Sequence, residues 1–186
     1  VYKLLFGALL VYTSVLELLR MCLDAGYDRA QTLTAVNGMM LLAGQGERFT
    51  TVDLFLLDLW TGKASLDKLG AAGSYLMQAE GLSLLGGDAL PLGILENVES
   101  GEKLMQLHQG DTLILLSDGV EDAYENRQSM EETIRDALTL ETAQDAANAI
   151  LTGAPSGDSA PADDQTVLVL RLIRARADAK IEEMYQ

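Results

Sequence analysis

The feature that most constrains the fold is the grouping of helical and strand-like segments along the chain. Apolar residues recur with a helical period over residues 4–44, follow strand patterns over residues 49–116, return to a helical period over residues 130–151 and end in one strand over residues 166–173. Grouped segments favour an α+β fold with antiparallel sheets, because helices and strands alternate in a doubly wound parallel sheet. The length of 186 residues suits one domain, or one domain with part of another missing.

Two helices are predicted in the first part of the chain. The first covers residues 4–25 and the second begins after Asp28, which suits an N-cap, and ends near residues 44–46. The thirteen residues 4–16 carry no charge, but a bilayer span needs about 20 residues. We interpret this stretch as part of a core helix. The alternative is the end of a membrane segment, in which case membrane contact would come only from segments outside this chain.

The middle and the end of the chain predict strands separated by turns, together with two further helices. Thr61-Gly62 is a turn signal between the first two of these strands, and residues 153–164 have the composition of a loop. Expected strands cover residues 49–59, 63–69, 74–78, 82–85, 103–107, 112–116 and 166–172, and expected helices cover residues 130–138 and 143–151.

The charge and the cysteine and histidine content exclude several classes of protein. With 28 acidic and 13 basic residues, the net charge is −15, so nucleic acid and anionic lipid are unfavourable partners. The only histidine, His108, excludes a His-rich zinc site. The only cysteine, Cys22, excludes an intrachain disulfide, and its apolar neighbours predict a buried thiol. This usage fits a cytoplasmic protein, or the cytosolic domain of a membrane protein.

Two acidic motifs at strand ends are the candidates for chemistry. Asp118-Gly119 follows the apolar strand 112–116, and Asp163-Asp164 leads into the strand that begins at residue 166. Each motif places carboxylate oxygens at the end of a buried strand without an accompanying His or Cys, and such oxygen ligands favour Mg²⁺ or Mn²⁺ over zinc. Taken singly, an ordinary Asp-Gly turn and a solvated loop end are the better explanations of the two motifs, and only the pair together favours a metal site.

Four ordered blocks of sequence resemble a known family. They read FTTVDLFLLDLWTGKASLDKLGAAGSYL, LPLGIL, LHQGDTLILLSDGVEDA and DDQTVLVLRL. In order and spacing they are similar to the SpoIIE-type branch of the metal-dependent serine/threonine protein phosphatases (PPM), over about residues 8–171. The resemblance makes residues 1–173 one phosphatase-like domain, incomplete at its N-terminus, followed by a charged tail at residues 174–186.

The resemblance implies a fold, a cofactor and a substrate class. Members fold as an α-β-β-α sandwich and hold two or more Mn²⁺ or Mg²⁺ ions between the sheets, where a metal-bound water attacks phosphoserine or phosphothreonine. On this basis Asp118, Gly119, Asp163 and Asp164 are expected at the metal site, with Asp163 the better match to the family's last aspartate and Asp164 the alternative. By the same analogy the substrate is a phosphorylated anti-sigma-factor antagonist in sporulation signalling, and a dimer is possible.

The chain departs from the family pattern in two places. The family's Asp-Gly-x-Gly-x-Gly stretch falls on residues 1–7, which read VYKLLFG and contain no acid. Its bridging aspartate would lie just before Val1, so the domain is either truncated or degenerate at its N-terminus, and we expect a poor phosphatase from this chain alone. Gly73 occupies a position where the family often has Pro, which predicts a looser turn.

Other charged residues of these blocks receive structural interpretations. Asp53 and Asp58 are expected on strand faces, Lys68 at the surface, and Glu121, Asp122 and Glu125 on a solvated helix face. The rival function is a PPM-fold module that binds a partner without hydrolysis. A weaker rival is an unrelated α+β fold with incidental acidic turns.

Overall fold

The computed structural model describes the backbone of most of the chain, and it contains eight strands and five helices within that part. The described residues are 2–7, 13–44, 49–87, 89–98, 101–153 and 164–173. The elements in chain order are β1 (Tyr2–Gly7), α1 (Thr13–Asp24), α2 (Arg29–Gly44), β2 (Val52–Asp58), β3 (Lys63–Leu69), β4 (Ser74–Gln78), β5 (Gly81–Leu85), β6 (Lys103–Gln106), β7 (Thr112–Leu116), α3 (Asp118–Glu121), α4 (Arg127–Ala137), α5 (Ala143–Gly153) and β8 (Val167–Arg171).

The strands form two four-stranded antiparallel sheets. The first sheet has the order β1-β2-β3-β6 and the second has the order β5-β4-β7-β8. No described pair of strands is parallel, which agrees with the expectation from the grouped segments.

Three apolar clusters show that the layers are stacked helix, sheet, sheet, helix. Leu19 of α1 and Val36 of α2 pack with Leu54 on the outer face of the first sheet. Between the sheets, Phe55 packs with Leu115. On the outer face of the second sheet, strand residues pack against α3, α4 and α5 through the residues Tyr75, Ile114, Leu116, Val120, Tyr124, Met130, Ile134, Ala137, Ala146 and Ile150. The expected α-β-β-α sandwich is therefore confirmed.

The strand registers bring several chain segments together at one end of the sandwich, which we call the acid end. In the second sheet Ser74, at the start of β4, lies opposite Leu115 near the end of β7. In the first sheet the end of β3 lies opposite the start of β2, with Val52 paired to Leu69. The linker of residues 70–73 crosses from one sheet to the other at this end. The Asp118-Gly119 motif follows β7, which ends here, and the Asp163-Asp164 motif precedes β8, which begins here.

The first predicted helix is wrong at its N-terminal side. The helix begins at Thr13 instead of residue 4, and Tyr2–Gly7 form a strand that pairs with β2 along its whole length. Residues 8–12 lie outside the described residues. A short apolar run carries too little periodicity to separate a strand from a helix. Pairing with β1 also satisfies the backbone groups of β2, which would otherwise be an open sheet edge.

Other expectations hold with small shifts in their bounds. The strand expected from residue 49 begins at Val52, and before it Thr50 makes an isolated bridge to Leu92. The helix expected from residue 130 begins at Arg127, where the side chain of Asn126 accepts a hydrogen bond from the backbone N–H of Ser129. The Cys22 thiol is buried, as predicted. Of the helices in the described part, none has the length and apolar content that crossing a bilayer requires.

Candidate metal centre

The carboxylate of Asp118 is exposed at the end of a fully buried strand. Every residue of β7 is buried, because helices cover one face and the other sheet covers the opposite face. Ser117 keeps an extended backbone, and α3 begins at Asp118. The backbone N–H of Gly119 donates to Asp118 Oδ1 over 2.9 Å, which orients the carboxylate. A rigid strand thus delivers an acid to the acid end, as the sequence predicted.

The second acidic motif lies beside the first through hydrogen bonds that span 46 to 49 residues of sequence. Ser117 Oγ donates to the carbonyl of Asp164 over 3.2 Å and accepts from the backbone N–H of Thr166 over 2.9 Å. Gln165 Nε2 donates to the carbonyl of Gly119 over 3.2 Å. This network continues the β7–β8 ladder past Leu116, which is paired with Val167. The segments that contain Asp118 and Asp164 are therefore neighbours.

Of the other three predicted ligands, the structure describes Gly119 and Asp164, whereas Asp163 lies outside the described residues. We expect the Asp163 carboxylate within about 8 Å of the Asp118 carboxylate, because two carboxylates that hold one ion lie that close together. This distance stays a prediction. Asp164 is exposed, and its position next to the Ser117 hydroxyl places it at the same edge. The carbonyl of Gly119 accepts a hydrogen bond from Gln165, a contact that sequence reasoning did not anticipate.

The linker of residues 70–73 forms the other side of the acid end. Gly70 has a φ of +68°, and a Cβ at this position would collide with Pro91, so only glycine suits this turn. The backbone N–H of Gly73 donates to Glu121 Oε1 over 2.9 Å. The expected solvation holds for Asp122 and Glu125, which are exposed, but Glu121 is only partly exposed because this hydrogen bond holds its carboxylate against the linker.

A buried ion pair lies inside the sandwich next to the same linker. Lys68 Nζ donates to both carboxylate oxygens of Asp53, over 2.8 and 2.9 Å, and to Ser74 Oγ over 2.9 Å. All three residues are buried, Lys68 and Ser74 completely. We call Asp53, Lys68 and Ser74 the inter-sheet cluster, since Asp53 and Lys68 belong to the first sheet and Ser74 to the second.

The inter-sheet cluster corrects the interpretation of Lys68, which was expected at the surface but is completely buried. Asp53 lies on a face of β2, as expected, and the β2–β3 register places it directly opposite Lys68. Burial raises the pKa of Asp53, and the charge and hydrogen bond of Lys68 only partly oppose this effect. The signal in the sequence is one acid and one base at positions that pair across a hairpin. It becomes readable only once the register is known.

Two further aspartates, Asp58 and Asp67, are held by a turn and by an ion pair. Asp58 accepts hydrogen bonds from the backbone N–H groups of Trp60 and Thr61, which lower the pKa of its carboxyl. Asp67 is completely buried and forms an ion pair with Arg29, which also binds Glu102. These carboxylates stabilise a turn and a helix–sheet contact.

The oxygen donors at the acid end are of the type that a hard divalent cation prefers, but few of them are carboxylates. The groups there are the carboxylates of Asp118 and Asp164 and nearby backbone and hydroxyl oxygens, which match the preference of Mg²⁺ and Mn²⁺. Within the residues that the structure describes, no three His, Cys, Asp or Glu side chains gather closely enough to hold an ion by themselves. A metal site at the acid end therefore stays a prediction.

A separate cavity of about 610 Å³ lies beside α2 and does not include the acid end. Asn37 organises its wall by accepting from the backbone N–H of Gly93 and donating to the carbonyl of Leu95. The lining residues are Asn37, Gly86, Gly87, Ala89, Leu90, Pro91, Leu92, Leu95, Asn97, Val98, Gly101 and Lys103.

The chain is similar to curated proteins and to solved structures. Stage II sporulation protein E of Priestia megaterium is 29% identical over 108 residues, which are 58% of this chain and 18% of that protein. The chain therefore spans less than a fifth of this relative. A Bacillus subtilis structure of the PP2C phosphatase domain of SpoIIE with a fragment of its regulatory domain superposes with a TM-score of 0.73 at 25% identity, covering 86% of this chain and 48% of that one.

The same fold occurs in a more distant phosphatase. The catalytic domain of the serine/threonine phosphatase PstP, solved with two manganese ions, gives a TM-score of 0.64 at 17% identity and covers 93% of this chain and 98% of that one. The profile of the family "Stage II sporulation protein E (SpoIIE)" matches residues 6–173. Because this match takes in both sheets and the acid end, the chain belongs to the SpoIIE family.

Proposed function

We propose that the chain is the greater part of a Mn²⁺- or Mg²⁺-dependent protein serine/threonine phosphatase domain. The observation that carries the proposal is the exposed Asp118 carboxylate at the end of buried β7, tied to the segment of Asp164 by the Ser117 hydroxyl. Family membership supports the reaction class, and phosphatase domains with this fold supply the analogy. In this proposal residues 1–173 form one domain and residues 174–186 a charged tail.

The proposed site residues have distinct tasks. Asp118 and Asp163, with Asp164 as the alternative, would hold the ion, and the backbone of Gly119 would allow a close approach. A bound divalent ion supplies an activated water and offsets the charge that develops on a phosphoryl group. Ser117 fixes the distance between the two acidic segments because its hydroxyl bonds to both Asp164 and Thr166. Gln165 restrains the carbonyl of Gly119.

The substrate in this proposal is a phosphorylated serine or threonine on a small protein. The similarity to SpoIIE extends the proposal to an anti-sigma-factor antagonist, to sporulation signalling in the cytoplasm and to a domain that forms dimers. The net charge of −15 argues against nucleic acid as the partner.

Binding of Mn²⁺ by the purified chain tests the proposed site directly. Isothermal titration should detect a Mn²⁺ site that Asp118→Asn weakens by about tenfold or more, since one charged ligand is lost. Asp122→Asn removes an exposed carboxylate four residues further along and is the matched control. Equal affinities for the wild-type chain and Asp118→Asn would refute the site.

Hydrolysis assays test the reaction itself. A phosphoserine protein and a small aryl phosphate should be cleaved only with Mn²⁺ or Mg²⁺, and Asp118→Asn should abolish the reaction. Because the described residues do not gather three carboxylates that could hold an ion by themselves, we expect slow turnover by this chain alone. Turnover that survives metal chelation would contradict the proposal.

A non-catalytic binding module is the competing function. The small number of described carboxylates at the acid end favours it. Such a module would bind its phosphoprotein partner with the same affinity in the presence and absence of Mn²⁺ and would release no phosphate.

A further inference from the structure

A contact on the outer side of the acid end has no part in the proposed ligand set. Glu121 ends α3, a helix of four residues that begins with Asp118. Its Oε1 accepts a hydrogen bond over 2.9 Å from the backbone N–H of Gly73, which is 48 residues away in sequence. The contact is partly buried, and a carboxylate acceptor makes it a charge-assisted hydrogen bond, which is about twice as strong as a neutral one.

The contact joins the two chain segments that flank Asp118. On one side the short helix α3 offers little stability by itself, because a single turn has few internal hydrogen bonds. On the other side the linker of residues 70–73 is fixed by Ser74, whose hydroxyl meets Lys68 inside the sandwich, and by the close approach of Gly70 to Pro91. The linker is therefore a rigid support, and Glu121 is the side chain that connects α3 to it.

The geometry at Gly73 shows that a side chain at this position would crowd the Glu121 carboxylate. A Cβ added to Gly73 would lie 2.5 Å from Glu121 Oε1, so any larger residue would displace the carboxylate. A proline at this position would also have no N–H to donate. The hydrogen bond therefore depends on the small size of Gly73 and on an acceptor oxygen at position 121.

We propose that Glu121 is a positioning residue that holds the Asp118 turn in the orientation needed for metal binding. This inference rests on the proposed function, because that function requires a divalent metal ion at Asp118. Glu121 acts through α3 and the linker, without contacting the ion. Loss of the contact would let the first turn of α3 fray and widen the range of directions that the Asp118 carboxylate samples.

Three single variants test the inference through Mn²⁺ affinity measured by isothermal titration on the full chain. Glu121→Ala should weaken binding by about fivefold to tenfold, the usual effect of losing one such hydrogen bond. Glu121→Gln keeps an acceptor oxygen and should stay within about twofold. Asp122→Ala removes one negative charge from the same turn and should also stay within about twofold, since exposed charges interact weakly. Equal weakening by Glu121→Gln and Glu121→Ala would overturn the inference in favour of a charge effect.

A double variant tests whether the contact is the cause. Gly73→Ala should displace Glu121 and weaken Mn²⁺ binding about as much as Glu121→Ala does. In the Glu121→Ala background, Gly73→Ala should add less than about twofold, because coupled residues are not additive. Independent and fully additive effects would overturn the inference.

Amide hydrogen exchange separates this inference from the proposed function. The backbone N–H of Val120 bonds to the Ser117 carbonyl and that of Asp122 bonds to the Asp118 carbonyl, so both report on α3. Their exchange should accelerate by about tenfold in Glu121→Ala and remain unchanged in Glu121→Gln. If the wild-type chain bound no Mn²⁺ while this pattern held, the proposed function would fail and Glu121 would still position α3. Unchanged exchange in Glu121→Ala would overturn the positioning role itself.

Discussion

The inter-sheet cluster and the Asp118 turn use the same kind of side chain at the same end of the sandwich for opposite purposes. The carboxylate of Asp53 is buried, and both of its oxygens accept from Lys68. The carboxylate of Asp118 is exposed, and its described hydrogen bond is to the backbone N–H of the next residue. Asp53 is therefore out of reach of a ligand in solution, with both oxygens engaged, whereas Asp118 is exposed and retains most of its lone pairs.

This difference shows how a scaffold and a site can be built from neighbouring strands. The inter-sheet cluster connects the two sheets and fixes the linker, so that the acids beyond it are presented on a rigid base. A buried pair contributes little net stability, but its disruption is costly because one charge is left without a partner. Substitutions in the cluster should thus change stability, and substitutions at the turn should change binding.

The largest expected effect is that of Lys68→Met. Removing the ammonium group leaves the Asp53 carboxylate buried without its partner, and the free energy of unfolding should fall by about 3–5 kcal/mol. Urea denaturation followed by circular dichroism measures this loss. The double variant Asp53→Leu, Lys68→Met should recover most of it, since no buried charge remains. A loss below about 1 kcal/mol in the single variant would mean that water reaches the cluster.

The penalty of Lys68→Met should also depend on pH. Burial holds the pKa of Asp53 above its ordinary value of 3.8, so above that pH the folded chain binds this proton more tightly than the unfolded chain does. A raised pKa contributes stability at low pH that is lost as the pH rises through the folded value. Loss of Lys68 raises the folded pKa further, so the penalty should grow as the pH rises above the ordinary value of 3.8. A penalty that is constant over this range would contradict the assignment.

A smaller effect is expected for Ser74→Ala. The change removes one of the hydrogen bonds of the Lys68 ammonium group and should lower the free energy of unfolding by about 1–2 kcal/mol. Ser65→Ala, at a partly exposed position of β3, is the control and should change stability by less than about 0.5 kcal/mol. Equal losses in the two variants would show that the Ser74 hydroxyl contributes nothing specific.

The smallest effect on stability belongs to Asp118→Asn. The exposed side chain of Asp118 should tolerate this change within about 0.5 kcal/mol of unfolding free energy without metal. With saturating Mn²⁺ the wild-type chain should gain stability and the variant should gain less, because a ligand stabilises only the state that binds it. Thermal denaturation with and without Mn²⁺ measures the stability of each chain and its gain from the ion. If Mn²⁺ stabilised the variant as much as the wild-type chain, Asp118 would have no part in metal binding.

The sequence predicts those parts of the molecule that depend on local pattern. The apolar run of β7 and the Asp118-Gly119 turn after it are visible in the sequence, and the structure places the turn next to the segment of Asp164. The grouping of elements was enough to predict two antiparallel layers. These features depend on residue type and on short spacings, which a single sequence reveals.

The features that the sequence does not predict depend on register and on long-range contact. The pairing of Asp53 with Lys68 follows from the alignment of β2 and β3, and a shift of either strand by one residue would put the two side chains on opposite faces of the sheet. The contact of Glu121 with Gly73 spans 48 residues. The strand Tyr2–Gly7 forms through pairing with β2, although its apolar residues merge into the helical pattern that follows.

The order in which the chain emerges during synthesis gives the Ser117–Asp164 contact a further consequence. The two residues are 47 positions apart, so a ribosome that adds about 5–20 residues per second needs roughly 2–9 seconds to pass from one to the other. β4 precedes β7 in the chain and β8 follows it, so β7 can pair with β4 before β8 exists. During that interval the apolar edge of β7 has no second neighbour, and an open apolar edge strand is prone to pair with other chains. Slow translation between these two segments should therefore favour aggregation of the nascent protein.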